Sequence, residues 1–360
     1  MQILIGAVVG FLGVILFTFG SAALDLESPT WTAFGGKLIG GVVLSVALHE
    51  AGHVFAGWWM RYNFFSVSVG PLVLRNVRGR LRLRLELRGL NVLGGLTIMF
   101  PKSGDPSRKA TGWFIGAGPL ASLSAFLLLA GWAALLQDTS GILAGWTYFI
   151  WLTAVLSLAI GLMSLIPEDS GGLQSDGAYL LKLIKGDAAI FPPQGIQQLF
   201  SLSISGVRPR DLPAVLLTQP NACLDANHRI IIAMFLYTHH LDKGETEMAM
   251  SFLDDAVDQV AKAASPLLKP AVFLEKAFAE AFFGGDPEIA AVFLEQGSQG
   301  YSEKITLKRA QAAIFLAQGK MEKARMAATE ALAELPRHFD AGGVQLDEDL
   351  LHKLLRRVDE

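Results

Sequence analysis

Cysteine is almost absent from this chain of 360 residues, whose only thiol is that of Cys223. One cysteine cannot form a disulfide within the chain, so a disulfide framework is excluded and the composition fits a cytoplasmic, reducing compartment. Histidine is scarce in the first half, which holds only His49 and His53 of the seven histidines. A metal site in that half would therefore have few candidates for a third protein ligand.

Charged side chains are missing from four long stretches of the first half, apart from Glu50 in the second of them. Hydrophobic residues make up 52% of the chain and the mean hydropathy is +0.41, both high for a soluble protein. A helix needs about 20 apolar residues to cross the hydrocarbon core of a bilayer. The stretches of this length are Met1–Leu24, Leu38–Met60, Ala110–Leu136 and Thr139–Pro167. We predict a mainly α, polytopic membrane protein with four transmembrane helices. A signal peptide has Lys or Arg before its apolar core, and the first stretch has neither, so we predict that it is retained as a helix.

The cations of the connecting loops are concentrated between the second and third stretches. That loop, residues 61–109, holds ten Lys and Arg residues, whereas the first loop, Asp25–Lys37, has one cation and the last link has only Asp138. Cytoplasmic loops of membrane proteins carry an excess of Lys and Arg. We therefore predict that this loop and both chain ends are cytoplasmic, and we expect the protein in a bacterial inner membrane.

The second apolar stretch contains a metal-binding motif. Residues 48–54 read L-H-E-A-G-H-V, which places His49 and His53 four residues apart on one face of a helix, with Glu50 beside them. Two imidazoles in this arrangement can share a zinc ion, and the Glu can take a proton from a water on that ion. Ionisable groups are costly to bury at membrane depth, so three in one turn indicate a compensating reason such as metal binding. A structural polar patch facing a channel is the alternative.

The cytoplasmic loop has the period of β-structure. Arg80–Arg88 alternates polar residues with Leu, as a strand with one polar face does, and Gly94–Phe100 is an apolar strand candidate. Asn76–Gly79 predicts the turn before the first of these strands. We predict a small β element here. Its edge could pair with an extended substrate, or the element could be an inert hairpin that closes the loop. The alternation suits a strand beside a membrane better than a nucleic-acid surface, so we expect no nucleic-acid partner.

The second half predicts a helical domain. Residues 186–226, with five prolines, predict a connector between a membrane domain (1–185) and a cytoplasmic domain (227–360). In the latter, Gly244, Gly285 and Gly319 each separate two helical patterns, and their spacings of 41 and 34 residues are near the ~34-residue period of tetratricopeptide repeats. We predict a tetratricopeptide-like module that docks a protein partner, with a plain helical bundle as the alternative.

A hydrolytic zinc site keeps three protein ligands and one open position, so the two histidines need a third partner. The acidic candidates near the membrane are Asp105, Asp138, Glu168, Asp169 and Asp176. Asp138 is predicted on the wrong side, and Asp105 suits a turn or cap in a basic loop. Glu168 and Asp169 could be solvated loop charges, while Asp176 or Ser175 could cap the helix that follows.

Further motifs follow the H-E-x-x-H stretch. Residues 117–122 read A-G-P-L-A-S, residues 164–167 read S-L-I-P and residues 175–177 read S-D-G. In their order and membrane context these motifs resemble the site-2 protease family of intramembrane zinc metalloproteases, over about Gly36 to Ile184. That family pairs H-E-x-x-H with A-G-P-x-x-N in a later helix and with N-x-x-P followed by D-G. The strand at Gly94 and Gly95 resembles the family's glycine-containing β segment near the substrate.

Two positions depart from the family pattern. Ser122 and Ser164 stand where the family has asparagines that are thought to contact the substrate backbone or help to hold the reacting carbonyl. A serine hydroxyl can donate a hydrogen bond but has a shorter reach. The resemblance implies that Ser122 and Ser164, with Gly94 and Gly95, form the substrate-binding positions.

The resemblance also implies a reaction and its partners. It implies a zinc-dependent endopeptidase that hydrolyses peptide bonds in or near membrane-spanning segments of substrate proteins, which must unwind locally before attack. Zinc would be held by His49, His53 and Asp176, and Glu50 would act as general base and then acid. Two alternatives remain. One is a gluzincin-type membrane protease with Glu168 as third ligand, and the other is a zinc-binding pseudoprotease that regulates membrane helices, which the two serines favour.

Overall fold

The described part of the chain is mainly helical. The computed structural model describes residues 2–26, 30–77, 80–85, 94–101, 108–136, 142–170, 173–186, 194–218, 226–260, 268–299, 303–338 and 340–360. These residues form fourteen α-helices, a four-stranded antiparallel sheet and a two-stranded one. The chain divides into two compact units. One comprises Met1–Arg75, Arg82–Asp169 and Gln174–Ile190, and the other comprises Asn76–Leu81, Ser170–Leu173 and Phe191–Glu360.

The chain up to residue 185 forms a group of long apolar helices and a small sheet. Its elements are α1 (Gln2–Ala23), α2 (Trp31–Trp59), β1 (Tyr62–Val69), β2 (Leu72–Val77), β3 (Arg80–Leu85), β4 (Gly95–Pro101), α3 (Arg108–Leu135), α4 (Ile142–Ser164), β5 (Asp169–Ser170), β6 (Leu173–Gln174) and α5 (Asp176–Lys185). Helices α2, α3 and α4 pack on one another, α1 packs on α4, and α5 packs on α3.

Among the described residues, three helices are long and apolar enough to cross a membrane, namely α2, α3 and residues Leu143–Ser164 of α4. They confirm that the first half carries membrane-spanning candidates. Polar side chains join α2 to α4. Ser157 donates a hydrogen bond to Ser45 Oγ, and Ser45 donates one to the Thr153 carbonyl, each with a length of 3.1 Å. The side chains of α1 are described from Val9, and Val9–Ala23 is a shorter apolar helix. The span over Met1–Leu24, the first of the four that the sequence predicts, stays a prediction.

The small β element predicted between the second and third apolar stretches is confirmed. Its four strands lie in the order β3-β2-β1-β4, so that β4 is an edge strand. A bulge at Phe65 interrupts the β1–β4 register, and the extra residue turns its side chain into a buried position. Strands β1 and β2 were not predicted as strands. Arg78 and Gly79 of the predicted turn, and Glu86–Arg88 of the predicted strand, lie outside the described residues.

The chain after residue 190 forms a helical unit. Its elements are α6 (Gln194–Ser205), a 3-10 turn (Pro209–Asp211), α7 (Ala214–Leu217), α8 (Ala226–Lys243), α9 (Thr246–Val260), α10 (Leu268–Phe282), α11 (Pro287–Ser298), α12 (Lys304–Ala317), α13 (Met321–Glu334), a 3-10 turn (Leu335–Arg337) and α14 (Gly343–Asp359). The stretch predicted as a connector packs on α8, where Arg208 binds Asp242 through two guanidinium nitrogens and the Pro209 carbonyl lies 2.8 Å from His239 Nδ1.

Successive helices of this unit pack in pairs, α8 with α9, α10 with α11 and α12 with α13. Left-handed glycines form the turn inside each pair. They are Gly244 (φ 80°), Gly284 (φ 91°) and Gly319 (φ 70°), the second one residue before the predicted Gly285. Such a residue ends a helix without the penalty that a Cβ would bring. The assignment of these pairs to tetratricopeptide-like repeats stays a prediction.

Four polar side chains, one from each of α8, α10, α12 and α14, form a buried chain of hydrogen bonds that we call the polar ladder. The Tyr237 hydroxyl donates a hydrogen bond of 3.0 Å to Glu275, and the Arg309 guanidinium binds both Glu275 and Asp347. The four residues are 34 to 38 positions apart in sequence, near the length of one helix pair. Arg309 is 3% exposed and stacks on the Phe278 ring, so its charge depends on the two carboxylates.

A histidine beside the polar ladder predicts a pH-dependent stability. His338 Nε2 lies 3.1 Å from Glu303 and 3.5 Å from Asp347. Burial by itself would lower the pKa of His338, but the carboxylates of Glu303, Asp347 and Asp340 outweigh burial and raise that pKa above its ordinary value. Because the pKa is raised in the folded state, the stabilisation is complete below the unfolded value of about 6.5 and is lost as pH rises through the folded value.

We therefore expect amides of α14 to be better protected from hydrogen exchange at about pH 6 than at about pH 8, after correction for the intrinsic exchange rate. His338→Gln should remove this difference in the full-length protein. The matched control is His352→Gln, since His352 is exposed on α14. An unchanged pH dependence in His338→Gln would show that another group titrates.

Candidate metal centre

Helix α2 presents the three motif side chains in one turn. It is capped by Thr30, whose hydroxyl accepts a hydrogen bond from the Ala33 amide. The four-residue spacing places His49 and His53 on the same face, with their Nε2 atoms 3.3 Å apart. His49, Glu50 and His53 are each less than a tenth exposed. Both imidazoles are therefore directed to one buried point.

Asp176, the first residue of α5, completes the cluster. Its Oδ2 lies 3.1 Å from His49 Nε2 and its Oδ1 lies 3.4 Å from His53 Nε2. Ser175 caps α5, because its Oγ accepts from the Ala178 amide, and Asp176 is therefore not needed as the cap. In the part of the chain that the structure describes, this is the one group of His, Cys, Asp or Glu side chains placed to hold a metal ion.

The return of the chain after α4 positions Asp176. The Ser175 hydroxyl donates a hydrogen bond of 2.7 Å to the Ile166 carbonyl, and the Ser175 amide donates one of 2.9 Å to the Glu168 carbonyl. These bonds bring Ser175 back to the chain that follows α4. Gly177 then packs on the end of α4, where a Cβ would lie 1.9 Å from the Leu165 carbonyl oxygen. A residue larger than glycine at 177 would push α5, and with it Asp176, away from α2.

Helix α3 passes directly over the two imidazoles. A Cβ on Gly118 would lie 2.2 Å from His53 Nε2 and 2.7 Å from His49 Nε2. Next to it, the Phe114 carbonyl accepts a hydrogen bond of 2.8 Å from His53 Nδ1, because a carbonyl oxygen can only accept. This bond puts the ring proton of neutral His53 on Nδ1 and leaves the Nε2 lone pair for a metal.

Ser122 gives His49 the same kind of support. It is fully buried in α3, and its Oγ lies 3.0 Å from His49 Nδ1. Both imidazoles are thus held at Nδ1 by α3 and present Nε2 to Asp176. Partners of this kind orient a metal-bound histidine and make it a stronger ligand.

Glu50 is held by strand β4. Thr97 Oγ1 donates a hydrogen bond of 2.6 Å to Glu50 Oε2. Gly95 lies against the other oxygen, since a Cβ there would be 2.2 Å from Glu50 Oε1. Thr97 is not among the site residues predicted from the sequence. The available signal was that Thr97 lies two residues after Gly95 in a predicted strand, and alternate residues of a strand share a face.

The remaining predicted residues make other contacts among the described residues. Ser164 Oγ donates to the Gly161 carbonyl one turn earlier in α4. Gly94 precedes β4, and its carbonyl accepts from the Gly70 amide. Glu168, the alternative third ligand, is not part of the metal-binding cluster, where Asp176 takes that place.

The donor set fits a zinc ion. Two imidazole nitrogens and one carboxylate are typical ligands of catalytic zinc. Ligands about 2.0–2.2 Å from a tetrahedral ion lie roughly 3.3–3.6 Å from one another. The two Nε2 atoms lie 3.3 Å apart, and one carboxylate oxygen of Asp176 lies 3.1 Å from His49 Nε2 and the other 3.4 Å from His53 Nε2, which is close to the spacing of ligands around one ion.

Comparison of the chain with protein-family models, with curated proteins and with solved structures found no match. The arrangement of residues around the candidate metal centre, with the motifs of the sequence, is therefore the basis on which function is inferred.

Proposed function

We propose that the chain is a zinc-dependent intramembrane endopeptidase of the site-2 protease type. The observation that carries the proposal is the convergence of Asp176 with His49 and His53, which lie beside Glu50 in a helix long and apolar enough to cross a membrane. Groups that are costly to bury at such a position are expected to serve a function.

The residues of the site have distinct roles in this proposal. His49, His53 and Asp176 hold the ion, which when bound acts as a Lewis acid on the scissile carbonyl and on the attacking water. Glu50 accepts the proton of that water at its carboxylate and delivers it to the nitrogen of the leaving amine. Thr97 orients Glu50 through the 2.6 Å bond, while Ser122 and Phe114 orient the two imidazoles.

The position of β4 supports an extended substrate. In the described sheet β4 has one hydrogen-bonded neighbour, β1, and the same strand contacts Glu50 through Gly95 and Thr97. An unpaired strand edge can pair with the main chain of a peptide. A membrane-spanning substrate that unwinds and pairs with β4 would then bring its peptide bonds close to the site.

The proposal includes the membrane topology. Four spans follow from the four apolar stretches, and the placement of the Arg-rich loop and both chain ends in the cytoplasm follows from the distribution of Lys and Arg. The substrates are then membrane-spanning proteins of a bacterial inner membrane, and the helical unit after residue 190 is a cytoplasmic docking module for a protein partner.

A zinc-binding pseudoprotease is the second candidate function. It is favoured by the serines that replace the two family asparagines, because Ser122 is bonded to His49 and Ser164 to the Gly161 carbonyl. In the described contacts each hydroxyl oxygen therefore has a hydrogen-bond partner within the protein. Such a protein would bind membrane helices without cleaving them.

Proteomics of membrane fragments separates the two candidates. Membranes from cells that express the wild type or Glu50→Gln are compared for peptides that end within or next to a predicted span. We expect such fragments in membranes with the wild type and not in membranes with Glu50→Gln. If intact single-span proteins co-purify equally with both forms and no fragment depends on Glu50, the pseudoprotease is favoured.

A further inference from the structure

A groove lies on the surface of the first unit where the first half of α3 meets α5. It has a volume of about 530 Å³ and is lined by Arg108, Lys109, Gly112, Trp113, Gly116, Leu120 and Leu183. It is separate from the metal centre, since none of these residues is a ligand or a partner of one in the described contacts. No acidic residue is among those that line it.

Two glycines of α3 form the floor of the groove. No atom comes within 4 Å of a Cβ placed on Gly116, and one on Gly112 would meet only Leu183 Cδ2, at 3.0 Å. Trp113 and Leu120 rise beside them and are 67% and 54% exposed. The floor is therefore open to an apolar chain that lies along the helix.

One end of the groove is cationic. Arg108 and Lys109 stand at the start of α3 and are exposed. Arg108 Nη2 donates to the Leu183 carbonyl at the end of α5, which fixes the guanidinium at the rim. An arginine held in this way has further donors for a phosphate oxygen.

The length of the groove matches one leaflet of a bilayer. Arg108 and Leu120 are twelve residues apart on a helix, which corresponds to about 18 Å along its axis. The hydrocarbon core is about 30 Å thick, so one leaflet contributes about 15 Å. A molecule with an anionic head at Arg108 and a hydrocarbon chain that reaches Leu120 has the matching charge and length.

We propose that this groove binds an anionic phospholipid of the surrounding membrane. Its phosphate lies between Arg108 and Lys109, and one acyl chain lies over Gly112 and Gly116 beside Trp113. This site rests on the proposed membrane location of α3 and is independent of the proposed peptidase activity. Two cations at a membrane surface strengthen the binding of an anionic lipid on the order of 30-fold over a zwitterionic one.

The test is native mass spectrometry of the full-length protein after exchange into equimolar phosphatidylglycerol and phosphatidylcholine. We expect the wild type to retain one phosphatidylglycerol and little phosphatidylcholine. Arg108→Gln/Lys109→Gln should lose most of this preference. The matched control, Arg80→Gln/Arg82→Gln, removes two exposed cations elsewhere and should keep it.

A second variant guards against misfolding. Gly116→Leu fills the floor without changing charge, and the open space around Gly116 accommodates the side chain. It should lose the retained phosphatidylglycerol while its metal content stays that of the wild type. The proposal is overturned if the wild type retains both lipids equally, if the control loses the preference as fully as the Arg108/Lys109 variant, or if Gly116→Leu retains the lipid.

Discussion

Glu50→Gln is expected to reduce peptide hydrolysis by about 100- to 10,000-fold, the range that general acid–base catalysis contributes. The amide has the shape of the carboxylate and can still accept the Thr97 hydroxyl, so the packing of α2 against β4 should persist. It cannot take up the proton of the attacking water. His49, His53 and Asp176 are untouched, and the variant should bind as much zinc as the wild type. The measurement is cleavage of a single-span substrate in proteoliposomes, with zinc determined in the same preparations.

Thr97→Val is the matched control for this prediction. It removes the hydrogen bond to Glu50 Oε2 but leaves the carboxylate in place. We expect a smaller loss of turnover than in Glu50→Gln, because an acid–base residue that is less well oriented still exchanges protons. Turnover by Glu50→Gln at a rate near that of the wild type would remove Glu50 from the mechanism.

Asp176→Ala is expected to release the metal and abolish activity together. Asp176 is the one carboxylate within reach of both Nε2 atoms in the described residues, and its loss leaves two ligands. The fall in zinc affinity should exceed the 10- to 100-fold that is typical of residues which only support a ligand. Helix α5 should remain folded in the variant, because Ser175 and not Asp176 is its cap. The measurement is zinc competition against a chelator in detergent.

Two variants calibrate that result. Ser122→Ala removes the partner of His49 Nδ1 and should weaken zinc binding by about 10- to 100-fold. Glu168→Ala should leave zinc binding unchanged. If zinc affinity is lost in Glu168→Ala and kept in Asp176→Ala, the third ligand is Glu168 and the gluzincin-type alternative replaces the site-2 protease type.

The parts of the site that lie within one helix turn could be predicted from the sequence. The spacing of His49 and His53 is a local property of α2, and the geometry follows from 3.6 residues per turn. Asp176 is far along the chain, and its distance to the histidines depends on the loop after Pro167 and on the contact of Gly177 with Leu165. Residue types alone left five acidic candidates open.

The contacts of Ser122 and Thr97 could not be predicted because they depend on how elements pack. The family resemblance implies a substrate-binding role for Ser122, which stays a prediction, and the contact of its hydroxyl with His49 depends on how α3 packs on α2. A strand at Gly94–Phe100 was predicted, but period two does not say which helix that face meets. Strand β2 escaped prediction because Leu72, Val73 and Leu74 are a short apolar run without alternation.

The polar ladder of Tyr237, Glu275, Arg309 and Asp347 has a consequence for how the helical unit unfolds. In a solenoid held together by apolar contacts between neighbours, an end pair of helices can open by itself. Here, opening α14 would strip Asp347 from the buried Arg309, and breaking such a pair typically costs about 3–5 kcal/mol beyond the apolar contacts. The loss of this ion pair also weakens the contacts of Glu275 and Tyr237, because the Arg309 guanidinium binds Glu275 and Glu275 accepts the hydrogen bond of Tyr237. Helices α8 to α14 should therefore melt in a single cooperative transition, without fraying from the C-terminal end.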